Sequence, residues 1–181
     1  MKTCFIIGCG ETGKYMPVLD SVTVIGVNDA AKFGKPIDIL LFINRPRHFN
    51  ERSELEHLTR LEVIKSTKPK KVVTLPSLLV EWSTWFTGNI ELITVTRWRK
   101  QIRPNETYHV DSSPFTAMSY AFNQGYTEIV LWGVDFINHR YLKAETSSPA
   151  FSQFAMEAGK LGCKIYKGHH NQKLNLPIWT V

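Results

Sequence analysis

A glycine-spaced turn, Gly8-Cys9-Gly10-Glu11-Thr12-Gly13, follows the short apolar run Thr3 to Ile7. Glycines at this spacing let a backbone turn sharply and come close to a ligand, and a helix after them can direct its positive end at a phosphate. Asp29 stands about 20 residues further on, after a second apolar run from Val22 to Val27, so the fingerprint of a dinucleotide site is formally complete. Its exit is too short for one. Only Lys14 to Ser21, Pro17 among them, separate Gly13 from the second run, whereas a crossover with a full helix takes at least about 10–12 residues. The turn is read as the mouth of a smaller, mononucleotide-type pocket, with a tight turn that holds no ligand as the alternative.

Other polar residues stand where such a pocket would need them. Asn28 and Asp29 close the second run, Asn44 follows a third (Ile37 to Ile43), and Asp135 ends a fourth (Glu128 to Asp135). Ligands of open parallel sheets bind beyond the carboxyl ends of the strands, so these positions and Gly8, Cys9 and Gly10 form one candidate set. Ser112 and Ser113 precede Pro114 at the head of a helical pattern, where hydroxyls and free N–H groups suit a phosphate or carboxylate. For Ser113, capping the helix is the alternative role. A metal centre is not expected. The cysteines (Cys4, Cys9, Cys163) show no C-x-x-C or Cys/His zinc spacing, and His169-His170 would diverge in extended backbone.

The elements that must position these residues alternate. The three N-terminal runs, Val72 to Leu75, Ile90 to Thr96, Glu128 to Asp135 and Cys163 to Tyr166 read as strands. Helices are expected over Asn50 to Leu58, from Pro76 with Leu79, Trp82 and Phe86 on one face, from Ser113-Pro114 to a stop at Gly125, and from Ser148-Pro149 to Gly162. The aromatic stripe on the second helix reads as core. Strands alternating with helices mean an α/β fold, with a mostly parallel sheet covered on both faces. One domain over residues 1–181 accounts for the length. The middle of the chain, 59–109, forms either a full crossover or a contact between copies.

The apolar fraction of 43% is that of a packed globular protein. An odd number of cysteines predicts reduced thiols and a cytoplasmic setting. Ile6-Ile7-Gly8-Cys9 looks like a lipoprotein cleavage box, but too few residues precede it, and no apolar stretch approaches the ~20 residues of a membrane span. The net charge of +6 suggests an anionic partner. Its excess gathers at Lys65, Lys68, Lys70 and Lys71 around Pro69, and at Arg97, Arg99, Lys100 and Arg103 around Trp98. These read as solvated loop charges, or, for the second cluster, as an electrostatic and stacking patch for nucleic acid.

Ser112 to Phe136, SSPFTAMSYAFNQGYTEIVLWGVDF, resembles a segment of bacterial lipooligosaccharide sialyltransferases and of their relatives among flagellin-modifying, motility-associated proteins. The Gly-x-Gly turn, the Val27-Asn28 strand end and Phe42-Ile43-Asn44-Arg45-Pro46 are similar to that family's glycine-rich motif and asparagine-bearing strand ends. The resemblance implies a three-layer Rossmann-like (GT-A-like) fold that holds a CMP-sugar, as substrate rather than cofactor, without metal, and passes the sugar to a glycan acceptor. Carried over by position, Gly8 and Gly10 approach the nucleotide and Asn28 and Asn44 hydrogen-bond the donor. Ser112 and Ser113 face its phosphate or carboxylate, and Asp135 holds the ribose or base side. His139, in the loop from Phe136 to Ser147, would activate the acceptor hydroxyl, and Tyr141 would steady the leaving phosphate. The chain departs from the family at Cys9, where an asparagine is usual, at Pro114 for a glycine, and at Ile137 for a tyrosine. It departs also in its shortened lid, which has no histidine between Tyr141 and Ser148, where the family places its catalytic one, and leaves His139 as the only lid histidine. Those departures keep open a second reading, a binding module that kept the pocket and lost the chemistry.

Overall fold

The computed structural model describes residues 2–50, 58–136 and 144–180. Seven parallel strands form one sheet: β1 (Thr3–Ile7), β2 (Thr23–Val27), β3 (Ile39–Leu41), β4 (Lys71–Thr74), β5 (Ile90–Leu92), β8 (Glu128–Trp132) and β9 (Lys164–Lys167). The order is β5-β4-β3-β2-β1-β8-β9. Strands this rich in Ile, Val and Leu can bury both faces, and all five residues of β8 are buried. The chain builds outward from β1 to β5 and then returns to lay β8 on the other side of β1. The sheet therefore has its topological switch point between β1 and β8, where Ile7 stands beside Trp132.

Each face is covered. On one, Ile6, Ile25, Val27 and Leu131 pack with Phe115 and Met118 of α3 (Ser113–Asn123) and with Phe151 and Phe154 of α4 (Ala144–Lys160). On the other, Leu40, Phe42 and Val72 pack with Ile64 of α1 (Arg60–Ser66) and Trp82 of α2 (Leu79–Ser83). A further cluster on this second side joins Phe5, Ile7, Val130 and Trp132 to Met16. The α/β fold and mostly parallel sheet expected from the sequence are thus present. Of the expected aromatic stripe Trp82 and Phe86 are core, whereas Leu79 is half-buried and its neighbour Leu78 is buried instead.

Several boundaries differ. The run Ile90 to Thr96 divides, because after Ile93 the chain leaves the large sheet and β6 (Val95–Arg97) pairs with β7 (Thr107–His109) in a separate parallel pair. α4 starts a turn before Ser148, with Pro149 inside it, at the cost of one backbone hydrogen bond. The cap of α3 is Ser112 rather than Ser113. The expected helix from Asn50 falls mostly on residues 51–57, outside the described residues. In place of a crossover helix after the glycine turn, Glu11–Tyr15 forms a 3-10 turn, in keeping with the short link there.

Candidate functional site at the strand exits

The exits of β1 and β8 are pressed together. The Gly8 N–H donates to the Trp132 carbonyl at 2.8 Å and the Gly10 N–H to the Gly133 carbonyl at 2.8 Å. A Cβ on Gly8 would stand 2.5 Å from the Gly133 oxygen, and one on Gly10 2.7 Å from Asp135 Oδ2. Gly133 itself has φ +62°, and a Cβ on it would meet the Gly8 oxygen at 2.6 Å. Part of the glycine requirement therefore comes from the two backbones crossing, not from a ligand. Gly13 is likewise close to the Phe33 ring.

Asp135 locks this crossing. The Thr12 N–H donates to its Oδ2 at 2.8 Å and the Thr12 hydroxyl to its Oδ1. Thr12 Oγ1 in turn accepts from the Gly133 N–H at 3.1 Å. The carboxylate is 3% exposed and both its oxygens are used, so within the protein its work is to hold the turn in place. Thr12 was missed from the sequence. A hydroxyl residue inside the glycine turn was the available signal.

A second cluster joins β1, β2 and α1. Thr59 and Glu62 form a capping box: the Thr59 side chain accepts from the Glu62 N–H at 3.2 Å, and the Glu62 carboxylate accepts from the Thr59 N–H. This fixes the start of α1 and so the place of its first residue, Arg60, also missed from the sequence. Arg60 Nε and Nη2 donate to Asp29 Oδ1 at 3.0 and 2.7 Å. Cys9 Sγ lies 3.2 Å from the same oxygen and 3.3 Å from the Val27 carbonyl. Burial, reinforced by the Asp29 charge, pushes the Cys9 thiol far up, so it stays protonated at neutral pH. Burial opposes the charge of Arg60, but Asp29 outweighs it and the guanidinium is held above its ordinary value.

The remaining candidates differ in what they offer. Asn28 has φ 55°, and its Oδ1 is enclosed with no partner among the described residues. Ser112 is 1% exposed, and its Oγ caps nothing and has no partner. Ser113 is buried as the first residue of α3. Asn44 is held by its backbone, whose carbonyl accepts from Trp82 Nε1 at 3.0 Å. Thr74, ending β4, adds a third orphaned oxygen. A buried polar group left unpaired costs about 1–3 kcal/mol, so unpaired groups at a strand-exit edge call for a polar occupant. His139, Tyr141 and Ile137 lie outside the described residues.

The basic cluster around Trp98 does not form a stacking surface. Trp98 packs against Tyr108, Phe115 and Phe154, with ring centroids 5.1, 6.1 and 5.2 Å away. Its indole is thus spent in the core, while Arg97, Arg99 and Lys100 stay exposed. Lys70 and Lys71 face Asp38 and Glu91 at 2.7 and 2.9 Å. His169 and His170 do not diverge. They sit on a turn rather than in extended backbone, and their rings stack on each other (4.3 Å), with Tyr15 on the far side of His169 (4.8 Å). Among the described residues no three His, Cys, Asp or Glu side chains gather as a metal site, and no helix is long and apolar enough to cross a membrane.

No family model matches the chain, that of the flagellin-modifying proteins included, and no curated protein matches its sequence. Its fold is similar to that of solved sialyltransferases of Campylobacter jejuni. The sialyltransferase CstII in complex with CMP-3FNeuAc, a substrate analogue, has a TM-score of 0.53 and 16% identity over 92% of this chain and 80% of that one. CstII with cytidine-5'-monophosphate gives 0.54 and 18%, over 97% and 85%. The monofunctional alpha-2,3-sialyltransferase Cst-I gives 0.55 and 14%, over 98% and 81%. The likeness is one of fold.

Proposed function

We propose that the chain binds a nucleotide-sugar of the CMP class at the β1–β8 switch point and transfers its sugar to a glycan hydroxyl. The observation that carries this reading is the pair of unpaired buried side-chain oxygens, Asn28 Oδ1 and Ser112 Oγ, at the end of the fold where open parallel sheets take ligands. The fold shared with enzymes solved with CMP and a CMP-sugar analogue supports the choice of nucleotide. In this reading Ser112 and the N-terminal amides of α3 meet the phosphate, and Asn28 and Asn44 meet the sugar or ribose. The glycine turn forms the floor. His139 takes the proton of the acceptor hydroxyl as it attacks the anomeric carbon, and CMP leaves with its bonding pair, steadied by Tyr141.

Calorimetric titration with CMP, UMP, AMP and NAD tests the binding step. CMP is expected to bind most tightly. Ser112→Ala breaks no hydrogen bond within the protein, so it should keep the melting temperature and weaken CMP at least fivefold. Equal affinity for every nucleotide, or full CMP affinity in the variant, refutes the reading. A second reading, binding without transfer, is favoured by Cys9, whose thiol is tied to Val27 and Asp29 where the family has an asparagine. CMP binding with no transfer from a CMP-sugar, any residual hydrolysis being unchanged by His139→Ala, would select it.

A further inference from the structure

We infer that Arg60 is the residue that reads the negative charge of the bound nucleotide, making the site prefer a nucleotide to its uncharged nucleoside. The inference rests on the nucleotide reading above and adds a specificity residue to it. Arg60 spends Nε and Nη2 on one atom, Asp29 Oδ1, has the Cys9 thiol beside it, and pairs with no second carboxylate among the described residues. The two members of the pair are unequally exposed: the Asp29 side chain is 3% accessible and that of Arg60 28%. Of the two charges, the cation is therefore the one open to a ligand, while its counter-charge is buried.

The guanidinium is also held still. The capping box sets its backbone, Asp29 grips two of its nitrogens, and its Cζ lies 5.2 Å from the centroid of the Phe49 ring. A planar cation fixed in this way loses little further freedom when it donates to a phosphate. Its position is tied to the glycine turn through Asp29 Oδ1, which also receives the Cys9 thiol. Ser112 can donate a hydrogen bond but brings no charge, so Arg60 supplies what Ser112 cannot.

The test is calorimetric titration of the parent, Arg60→Gln and the double variant Asp29→Asn/Arg60→Gln with CMP and with cytidine. The double variant guards against the unpaired Asp29 that Arg60→Gln leaves buried. The parent should prefer CMP, and both variants should lose at least tenfold of that preference, read for each protein as the ratio of its own CMP and cytidine affinities. Raising salt should erode the parent's preference and leave the variants' unchanged. An undiminished preference for CMP in a folded variant overturns the role of Arg60 and leaves the nucleotide site standing. A parent that binds neither CMP nor cytidine overturns both.

Discussion

Replacing Asp135 with asparagine would separate a structural lock from a ligand contact. The carboxylate accepts the N–H and the hydroxyl of Thr12 while 3% exposed. Hydrogen bonds to charged groups contribute roughly 1.5–3 kcal/mol each. Asparagine keeps one acceptor and turns an NH2 towards the second donor, so one such bond is lost and one buried N–H is left facing another donor. The expected loss is about 3 kcal/mol, which for a domain of this size lowers Tm by roughly 6–12 °C. Thr12→Val leaves the Gly133 N–H without its acceptor at 3.1 Å and should cost about 2 kcal/mol. Because both changes break the same lock, the double variant should lose at least 1 kcal/mol less than the sum. Urea unfolding followed by tryptophan fluorescence measures all four corners of the cycle. An Asp135→Asn variant within about 0.5 kcal/mol of the parent, or losses that simply add, would refute the lock.

Two further outcomes follow from the packing. Burial raises the thiols of Cys4 and Cys9 and lifts that of Cys163 to about 11; it also raises the phenol of Tyr120, where Glu91 adds to the effect. Above about pH 8.5 the unfolded chain therefore releases protons that the folded chain keeps. Stability should be full below that pH and fall steadily towards pH 11, and a flat Tm across the range would contradict the assignment. Trp82→Phe empties part of the second core and strips the Asn44 carbonyl of its donor at 3.0 Å. A loss of about 2–3 kcal/mol with weakened CMP binding is expected, and unchanged CMP affinity would show that Asn44 does not depend on this anchor.

Much of this fold was legible because its central strands are buried on both faces. Runs such as Phe5-Ile6-Ile7 and Ile129-Val130-Leu131 are apolar on both faces, so they stand out whatever their neighbours do. The strand exits were legible for the same reason: where the apolar run stops, the edge begins. What escaped depended on contacts distant in sequence. The division between β5 and β6 turns on which partner each half finds, which no local pattern records. Arg60 enters the edge cluster through Asp29, 31 residues earlier, although Thr59 and Glu62 spelled out a capping box at the head of the run Leu61, Val63 and Ile64. For Gly8 and Gly10 the sequence pointed to a close approach to a ligand, and what the structure shows pressed against them is the Gly133 backbone.

The lock between Thr12 and Asp135 spans 123 residues, and this separation orders events during synthesis. At roughly 5–20 residues per second, the glycine turn waits about 6–25 s on the ribosome before its counterpart emerges. Closing a loop of that length carries a chain-length entropy of about 4 kcal/mol, which a few hydrogen bonds do not offset until β8 also docks its apolar surface. The early strands, β2 to β4, can assemble beside β1 on their own schedule. The pocket cannot, and a nascent chain stopped short of β8 would carry the glycine motif with nothing to close it.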